Sequence, residues 1–319
     1  MRVFVAGATG AIGRRLVPQL VERGHEVVAT TSRPENAGAV RARGAEPVVL
    51  DGLDSAAVGE AVARAEPDAI VHQMTALSGK PDLRHFDRWF AKTNELRTQG
   101  TEHLLAGARA AGVDRFVAQS YIGWNNDRGG GPVKTEADPL DPKPLPAQRE
   151  SMAAIRFLED AVTSAPLEGI VLRYGNFYGP GDSEPLLELI RKRQFPIVGD
   201  GAGVWSWIHL EDAAAATVAA LEGSRRGIYN ITDDEPTPVS EWLPYLAQTI
   251  GVKPPRRVPA WLGRLAAGDV PVQWMTEGRG ASNEKAKREL DWRPAWSSWR
   301  EGFRAGLRAA APPAEKVGP

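Results

Sequence analysis

The chain has 319 residues, of which 25% are charged and 42% hydrophobic, and its formal net charge is −1. This is enough for one large core or two modest ones, and the near-neutral charge argues against a nucleic-acid partner, which would need a basic patch. No cysteine is present, which excludes disulfides and thiolate chemistry, and the five histidines lack metal-ligand spacing, so no metal site is expected.

The first half of the chain alternates β-rich and helical patterns. Apolar strands separated by helices indicate a parallel sheet covered on both faces. The predicted fold class is therefore α/β, a doubly wound parallel sheet of the Rossmann type. Predicted strands cover 2–7, 25–31, 47–51, 68–74 and 115–120, and predicted helices cover 12–24, 34–44, 55–65 and about 83–111.

The second half is less regular, and eight of the ten tryptophans follow residue 200. A loop rich in Gly, Pro and Asp leads to a predicted helix over 149–162 and a strand over 169–177. We predict a dinucleotide-binding domain over 1–180, completed by returning strands near 204–232. A smaller substrate-covering portion is predicted over 181–311, and a disordered tail over 312–319.

No membrane association is expected, because no apolar run approaches the ~20 residues that span a bilayer. The first residues, MRVFVAGATG, lead directly into a strand and a glycine loop and leave no room for a signal peptide. The expected location is the cytoplasm.

The segment GATGAIG places three glycines between the first strand and the first helix. One permits the tight turn, one lets the backbone approach a pyrophosphate, and one lets the helix pack on the strand. The pyrophosphate would meet the helix N-terminus. The spacing alone is weak evidence, but its strand–turn–helix position predicts a nicotinamide dinucleotide site. Its residues are Gly7, Thr9, Gly10, Ala11, Ile12 and Gly13.

The end of the second strand distinguishes the two nicotinamide cofactors, because NAD-binding proteins usually place an acidic side chain there. This chain reads ATTSRPEN and has no acid at the strand end. Thr31, Ser32 and Arg33, helped by Arg14, are predicted to hold the 2′-phosphate of NADP(H), with a solvated Arg33 as the alternative. Asp51 is expected either to meet the adenine amino group or to cap the next turn.

Four ordered segments carry a family resemblance: GATGAIG, TNELRTQGTEHLLAGARAAGVDRFVAQS, LRYGNFYGPG and IVGDGAGVWSWIHLEDAA. With NITDDEPTPVSEW and GASNEKAKRELDWRP, they resemble the extended short-chain dehydrogenase/reductases along nearly the whole chain. The resemblance implies that Asn94 is the structural asparagine of that family, that Ser120 faces the cofactor, and that Tyr121 stands at the catalytic Ser/Thr position. It also implies that Tyr174 and Asn176 lie at the cofactor.

The usual active site of this family contains a Tyr-x-x-x-Lys pair, in which the Tyr exchanges a proton with the substrate and the Lys lowers the Tyr pKa. Alignment of ESMAAIRFLEDAV with that helix puts Gln148 at the Tyr and Met152 at the Lys. Neither residue releases a proton near neutral pH. A proton must then come from Tyr121, water or a phenol on the substrate, with Ser120 donating a hydrogen bond to the developing oxyanion and Gln148 binding the substrate.

A second departure concerns the substrate. Sugar-nucleotide enzymes of the family hold a diphosphate with arginines, but Trp205 stands where one of them would be, and 265–278 contains no Lys or Arg. A diphosphate buried without a cation is costly, whereas a Trp-rich lining suits a flat apolar ligand. The alternative is that Trp205 and Trp207 are core residues.

The leading hypothesis is an atypical NADPH-dependent ketoreductase that acts on an aromatic or polyketide-like ketone. The chain is similar to actinomycete reductases without the Tyr/Lys pair, some of which tailor angucyclinone-type antibiotics. A catalytically inactive NADP-binding sensor is the alternative, and a sugar-nucleotide epimerase or dehydratase is less favoured. The substrate, the source of the proton, the reaction direction and the oligomeric state stay open.

Overall fold

The computed structural model of the protein describes residues 1–77, 82–223 and 225–307. The tail predicted over 312–319 and the last residues of the predicted substrate portion lie outside these ranges.

Strands and helices alternate through the first half, as the sequence predicts. The described strands are β1 (Arg2–Ala6), β2 (Glu26–Thr31), β3 (Glu46–Val49), β4 (Ala69–His72), β5 (Arg115–Tyr121), β6 (Val133–Lys134), β7 (Glu168–Tyr174), β8 (Asn176–Tyr178), β9 (Ile197–Val198), β10 (Val204–Trp205), β11 (Trp207–His209), β12 (Gly227–Ile231), β13 (Thr237–Pro238), β14 (Arg257–Val258) and β15 (Gly280–Ala281). The described α-helices are α1 (Gly13–Glu22), α2 (Ala37–Ala42), α3 (Ser55–Ala65), α4 (Phe86–Glu95), α5 (Thr101–Ala111), α6 (Arg149–Ser164), α7 (Glu184–Arg191), α8 (Leu210–Glu222), α9 (Val239–Thr249), α10 (Ala260–Ala267), α11 (Asp269–Glu277), α12 (Glu284–Glu289) and α13 (Trp299–Glu301).

Seven strands form one parallel sheet in the order β12-β7-β5-β4-β1-β2-β3. The strand order reverses between β1 and β4, where Val3 is opposite Ala69. In open parallel sheets, ligands bind outside the carboxyl ends of the strands at such a reversal. The predicted doubly wound α/β fold is confirmed, and the crevice beside β1 and β4 is the expected position of the cofactor.

Helices cover both faces of this sheet. On one face, Leu16 and Leu20 of α1 and Ala214 of α8 pack against β1 and β2 residues. On the other face, Val62 of α3 and Leu158 of α6 belong to a second apolar cluster. Apolar residues at helical spacing meet strands that are buried on both sides, so the core consists of two layers that fix the strand ends in space.

The helix predicted over about 83–111 is interrupted. A 3₁₀ turn (Leu83–His85) precedes α4, and a π-helical turn (Leu96–Gly100) separates α4 from α5. The wider turn brings Leu96, Arg97 and Gly100 to the buried side together. A regular helical period does not predict this arrangement, and π-turns inside α-helices often occur at functional sites.

A second core lies in the C-terminal half. Trp205, Trp207, Trp242 and Trp299 are all buried in one apolar cluster. Of the two interpretations of Trp205 and Trp207, the core role is therefore the one that the structure supports. Strand β12 belongs to the C-terminal half of the sequence, but it pairs with β7 as an edge strand of the seven-stranded sheet.

Candidate active site

Steric contacts exclude a side chain at two of the three glycines in the loop after β1. Gly7 has a φ of 94°, and a Cβ there would lie 2.7 Å from the Gln73 backbone. A Cβ on Gly13 would overlap the Gly7 carbonyl oxygen. Gly10 is different, since its nearest neighbour would be 3.5 Å from a Cβ, an ordinary contact. Among the described residues, no close contact requires glycine at position 10, which fits a backbone kept open for a phosphate.

Only some amide groups at the N-terminus of α1 are available: Arg14 N donates to the Gly10 carbonyl, whereas Ile12 N and Gly13 N make no hydrogen bond within the described residues. Ile12 at the N-cap makes no side-chain capping bond, and the first turn contains no acidic residue. Thr9 and Ala11, which complete the loop, are half-buried, and Gly10 is exposed. Unpaired N–H groups and the positive end of the helix dipole suit an anion, so the loop fits the pyrophosphate of a nicotinamide dinucleotide. Such a cofactor supplies or accepts a hydride when bound.

At the predicted 2′-phosphate end, two arginines have different environments. The Arg14 guanidinium forms an ion pair with Asp182, so it is already engaged within the protein. Arg33 is exposed, and within the described residues its guanidinium has neither a hydrogen bond nor an ion pair. Thr31 Oγ1 accepts a bond from Arg33 N at 3.2 Å and thereby shapes the turn that carries Ser32. Of the predicted cations, Arg33 is the one that is free to meet a phosphate.

Asp51 closes a local turn. Its Oδ1 accepts a hydrogen bond from Leu53 N at 3.0 Å, while the side chain remains exposed. The turn-capping alternative for Asp51 is thus the contact that the structure contains, and a bond to adenine stays a prediction.

Ser120 does not face an open site. Its hydroxyl donates to Glu159 Oε1 of α6 at 2.7 Å. Arg173 of β7 binds the same carboxylate through two hydrogen bonds of 2.8 and 2.6 Å, and all three residues are buried. Because the single proton of Ser120 is engaged there, the expected hydrogen bond from Ser120 to a developing oxyanion does not agree with this geometry.

Tyr121 lies at the carboxyl end of β5 and is partly exposed. Its hydroxyl donates to Asn176 Oδ1 at 2.9 Å, and Asn176 Nδ2 donates to the Ser206 carbonyl at 3.0 Å. Burial raises the pKa of Tyr121, and the positive charge of Arg97 opposes that rise. The phenol is therefore protonated near neutral pH and paired with an acceptor.

At the start of α6, the two positions of the family's proton relay hold a buried amide and a buried thioether. Gln148 ends the 3₁₀ turn (Pro146–Gln148) and is 1% exposed, with a buried Nε2 that has no hydrogen-bond partner. Met152 is 1% exposed and packs in a cluster with Phe86, Phe90 and Trp124. An ammonium group would be poorly solvated in this environment.

Two further predicted cofactor residues point into the protein. The Tyr174 hydroxyl bonds to Thr217 Oγ1 at 2.7 Å and accepts from Gln73 Nε2 at 3.2 Å, and burial raises the pKa of Tyr174 to about 12. Asn94 Nδ2 donates to Ser151 Oγ at 3.1 Å, which links α4 to α6. Both side chains are buried, so a cofactor contact by either remains a prediction.

A cluster of aromatic rings packs beside the carboxyl end of β5, and we call Phe86, Phe90, Tyr121, Trp124 and Trp274 the aromatic wall. Only Tyr121 and Trp274 are partly exposed, and the other three rings are buried behind them. Tyr121 stacks on Trp124 with centroids 6.1 Å apart and meets the edge of Trp274 at 6.5 Å. Phe86 contacts Trp124 at 4.9 Å. Trp274 is half-buried and stacks on Trp205, with the ring centroids 4.0 Å apart. Trp205 was expected to contribute to a Trp-rich lining, but Trp124 and Trp274 are the tryptophans whose rings contact Tyr121.

The described residues contain no group of three or more His, Asp or Glu side chains that could hold a metal ion. In the same part of the chain, no helix is both long and apolar enough to cross a bilayer.

A parallel sheet with this glycine loop at its switch point defines a nicotinamide dinucleotide-binding protein, and comparisons with known proteins give the family. The sequence profile of the NAD dependent epimerase/dehydratase family matches residues 3–232. The chain therefore belongs to that family, the extended short-chain dehydrogenase/reductases, which confirms the resemblance drawn from the sequence.

Its relatives include reductases that act on small molecules. A Streptomyces 3-diazoavenalumate denitrifying reductase is 44% identical over 316 residues, which cover 95% of this chain and 99% of the relative. A Stigmatella aurantiaca 4-hydroxy-2-methyl-3-oxo-4-farnesyl-3,4-dihydroquinoline-1-oxide ketoreductase is 29% identical over 79% of this chain and 74% of the relative. Among solved structures, Thermus thermophilus UDP-glucose 4-epimerase in complex with NAD is 26% identical, with a TM-score of 0.73 over 96% of this chain and 97% of that chain. The protein is an oxidoreductase of the extended short-chain type.

Proposed function

We propose that the protein is an NADP(H)-dependent reductase that transfers a hydride to a small aromatic molecule held against the aromatic wall. One observation carries the choice of reaction. The two positions of the family's proton relay are occupied by Gln148 and by Met152, which packs in an apolar cluster. A reaction that consumes no proton suits this site best.

Reductive loss of dinitrogen from an aryl diazonium is such a reaction. The hydride of the reduced nicotinamide supplies the electron pair of the new C–H bond. The C–N bond breaks, and its electron pair leaves with dinitrogen. The arene, oxidised nicotinamide and dinitrogen balance the equation without a proton. A relative with 44% identity is named for a diazo substrate and for denitrifying reduction, which supports this assignment.

NADP(H) is the preferred cofactor in this proposal. Arg33 is exposed beside Ser32 at the end of β2, and its guanidinium is free within the described residues. An arginine in that position recognises a phosphate through a planar pair of N–H groups. A location in the cytoplasm and a role in antibiotic biosynthesis belong to the same proposal.

Ketone reduction is the second candidate, and Tyr121 favours it. Here the hydride adds to the carbonyl carbon, the π pair moves to oxygen, and that oxygen takes the Tyr121 proton. Asn176 would lose its hydrogen bond in this step, since it accepts from the same hydroxyl. The quinoline ketoreductase among the relatives supports this chemistry.

A Tyr121→Phe variant separates the two reactions. The two substrates are para-hydroxycinnamates that carry either a diazo group or an acetyl group ortho to the hydroxyl. The cofactor is NADPH with deuterium at the position that transfers the hydride. We expect the diazo compound to release dinitrogen, to gain deuterium on the ring, and to keep its kcat/KM in the variant. Ketone reduction, if Tyr121 is its acid, falls by about 100-fold. NADPH binding with turnover of neither compound would refute the reductase proposal and favour the sensor.

A further inference from the structure

Arg97 is a buried cation without a counter-ion. It lies in the π-helical turn and is 5% exposed. Within the described ranges, its guanidinium makes no hydrogen bond and has no carboxylate within 4 Å, and Nη1 is fully buried without a partner. Its Cζ lies over the Phe90 ring, 5.7 Å from the ring centroid. A charge left in this state is costly, because a hydrogen-bonding partner usually compensates the loss of water.

The groups that face Arg97 do not neutralise it. Glu159 on α6 interacts with it electrostatically, but that carboxylate is already bound by Arg173 and Ser120. His72 on β4 is neutral, because burial lowers its pKa to about 4. Burial also lowers the pKa of Arg97, to about 10, so the guanidinium stays charged at neutral pH.

Aromatic rings connect this charge to Tyr121. Arg97 lies over Phe90, the Phe90 and Trp124 ring centroids are 6.4 Å apart, and Trp124 stacks on Tyr121. Tyr121 is partly exposed while Arg97 is not, so the positive charge lies on the buried side of these rings. The family's lysine position, now Met152, belongs to the same cluster as Phe90, over which Arg97 lies.

We propose that Arg97 is the anion-binding residue of the substrate site and that the enzyme takes its aromatic substrate as an oxyanion, with the ionised oxygen next to Arg97. The proposal rests on the proposed function, because it names the charge state of that function's substrate. The orphaned Nη1 is the donor that this oxygen would satisfy. Arg97 thus supplies, from the π-turn, the positive charge that α6 lacks.

The test uses para-nitrophenol with the enzyme saturated with NADP⁺, so that nothing turns over. This phenol ionises near neutral pH, and its anion is coloured, so the bound ionised fraction is read directly by absorbance. We expect the wild type to bind the anion at least about tenfold more tightly than the phenol, which lowers the apparent pKa of the bound probe by one unit or more. Arg97→Met removes this preference, and Arg97→Lys retains part of it.

Arg109→Met is the matched control, because it removes an exposed arginine from the adjoining helix α5 and should leave the preference unchanged. If Arg97→Met does not fold, Arg97→Gln replaces it as the neutral variant. A wild type without any preference for the anion overturns the proposal, and so does a folded neutral variant with the full preference. A wild type that prefers the anion but does not reduce the diazo compound would refute only the proposed function.

Discussion

Two regions at the carboxyl ends of the strands, which we call the cofactor edge and the catalytic edge, compare differently with the family. At the cofactor edge, formed by β1, α1 and β2, the glycine loop is held by backbone contacts that tolerate no larger residue at Gly7 or Gly13. At the catalytic edge, formed by β5, the π-turn and α6, the family's Tyr and Lys positions hold Gln148 and a buried Met152. At the cofactor edge, backbone shape keeps the family's glycines in place. At the catalytic edge, the side chains differ from those of the family's proton relay.

This contrast explains how the protein can keep its cofactor fold although it lacks the family's Tyr and Lys. Hydride transfer depends on the position of the nicotinamide relative to the substrate, and positioning is a property of the cofactor edge. Proton supply depends on a few side chains at the catalytic edge. There, polar groups such as Ser120 and Glu159 bond to each other, and aromatic rings take the remaining space.

Restoring the family's lysine should produce the largest effect. Met152→Lys would put an ammonium between Phe86, Phe90 and Trp124. Burial lowers the pKa of such a lysine by several units, so we expect the free energy of unfolding at pH 7 to fall by about 4 kcal/mol. Urea denaturation measures this loss. Met152→Leu, which keeps the volume, should cost less than about 1.5 kcal/mol; equal losses in the two variants would show that charge is not the cause.

The sequence predicted the cofactor edge well because local rules govern it. A strand, three spaced glycines and an amphipathic helix are adjacent in the chain, and β1 and α1 begin within a residue of the predicted positions. The catalytic edge depends on distant pairs: Ser120 and Glu159 are 39 residues apart, and Tyr121 and Asn176 are 55 apart. The period of a regular helix does not predict a π-turn, so no sequence pattern identified Arg97 as buried.

Two alanine variants at the cofactor edge should distinguish a loss of stability from a loss of NADPH binding. The Cβ of Gly13→Ala overlaps the Gly7 carbonyl, so we expect a loss of about 3 kcal/mol in stability as well as loss of NADPH binding. Gly10→Ala meets no close atom of the protein and should unfold like the wild type, yet bind NADPH at least about tenfold more weakly. Thermal denaturation and NADPH fluorescence titration distinguish them. Wild-type affinity in Gly10→Ala would contradict the phosphate assignment.

The catalytic edge should also carry a pH dependence of stability through His72, whose Nε2 lies 3.3 Å from the Leu96 carbonyl of the π-turn. Burial lowers the pKa of His72 from 6.5 to about 4. Since the unfolded chain binds the proton first, this contribution is complete above pH 6.5 and is lost as the pH falls toward 4. From pH 7 to pH 5 we expect the wild type to lose about 2 kcal/mol more than His72→Gln in urea denaturation. Parallel losses in both proteins would assign the acid sensitivity to other groups.

The smallest effect is expected at the outer end of the cofactor edge. Arg33→Ala removes an exposed guanidinium that is free within the described ranges, so the fold should keep its stability. Because a phosphate loses one charged partner, NADPH affinity should fall by about tenfold, while NADH affinity stays the same. Arg14→Ala breaks the ion pair with Asp182 and should lower both affinities alike through the loop geometry. An unchanged preference for NADPH in Arg33→Ala would leave Thr31 and Ser32 as the remaining candidates for the 2′-phosphate.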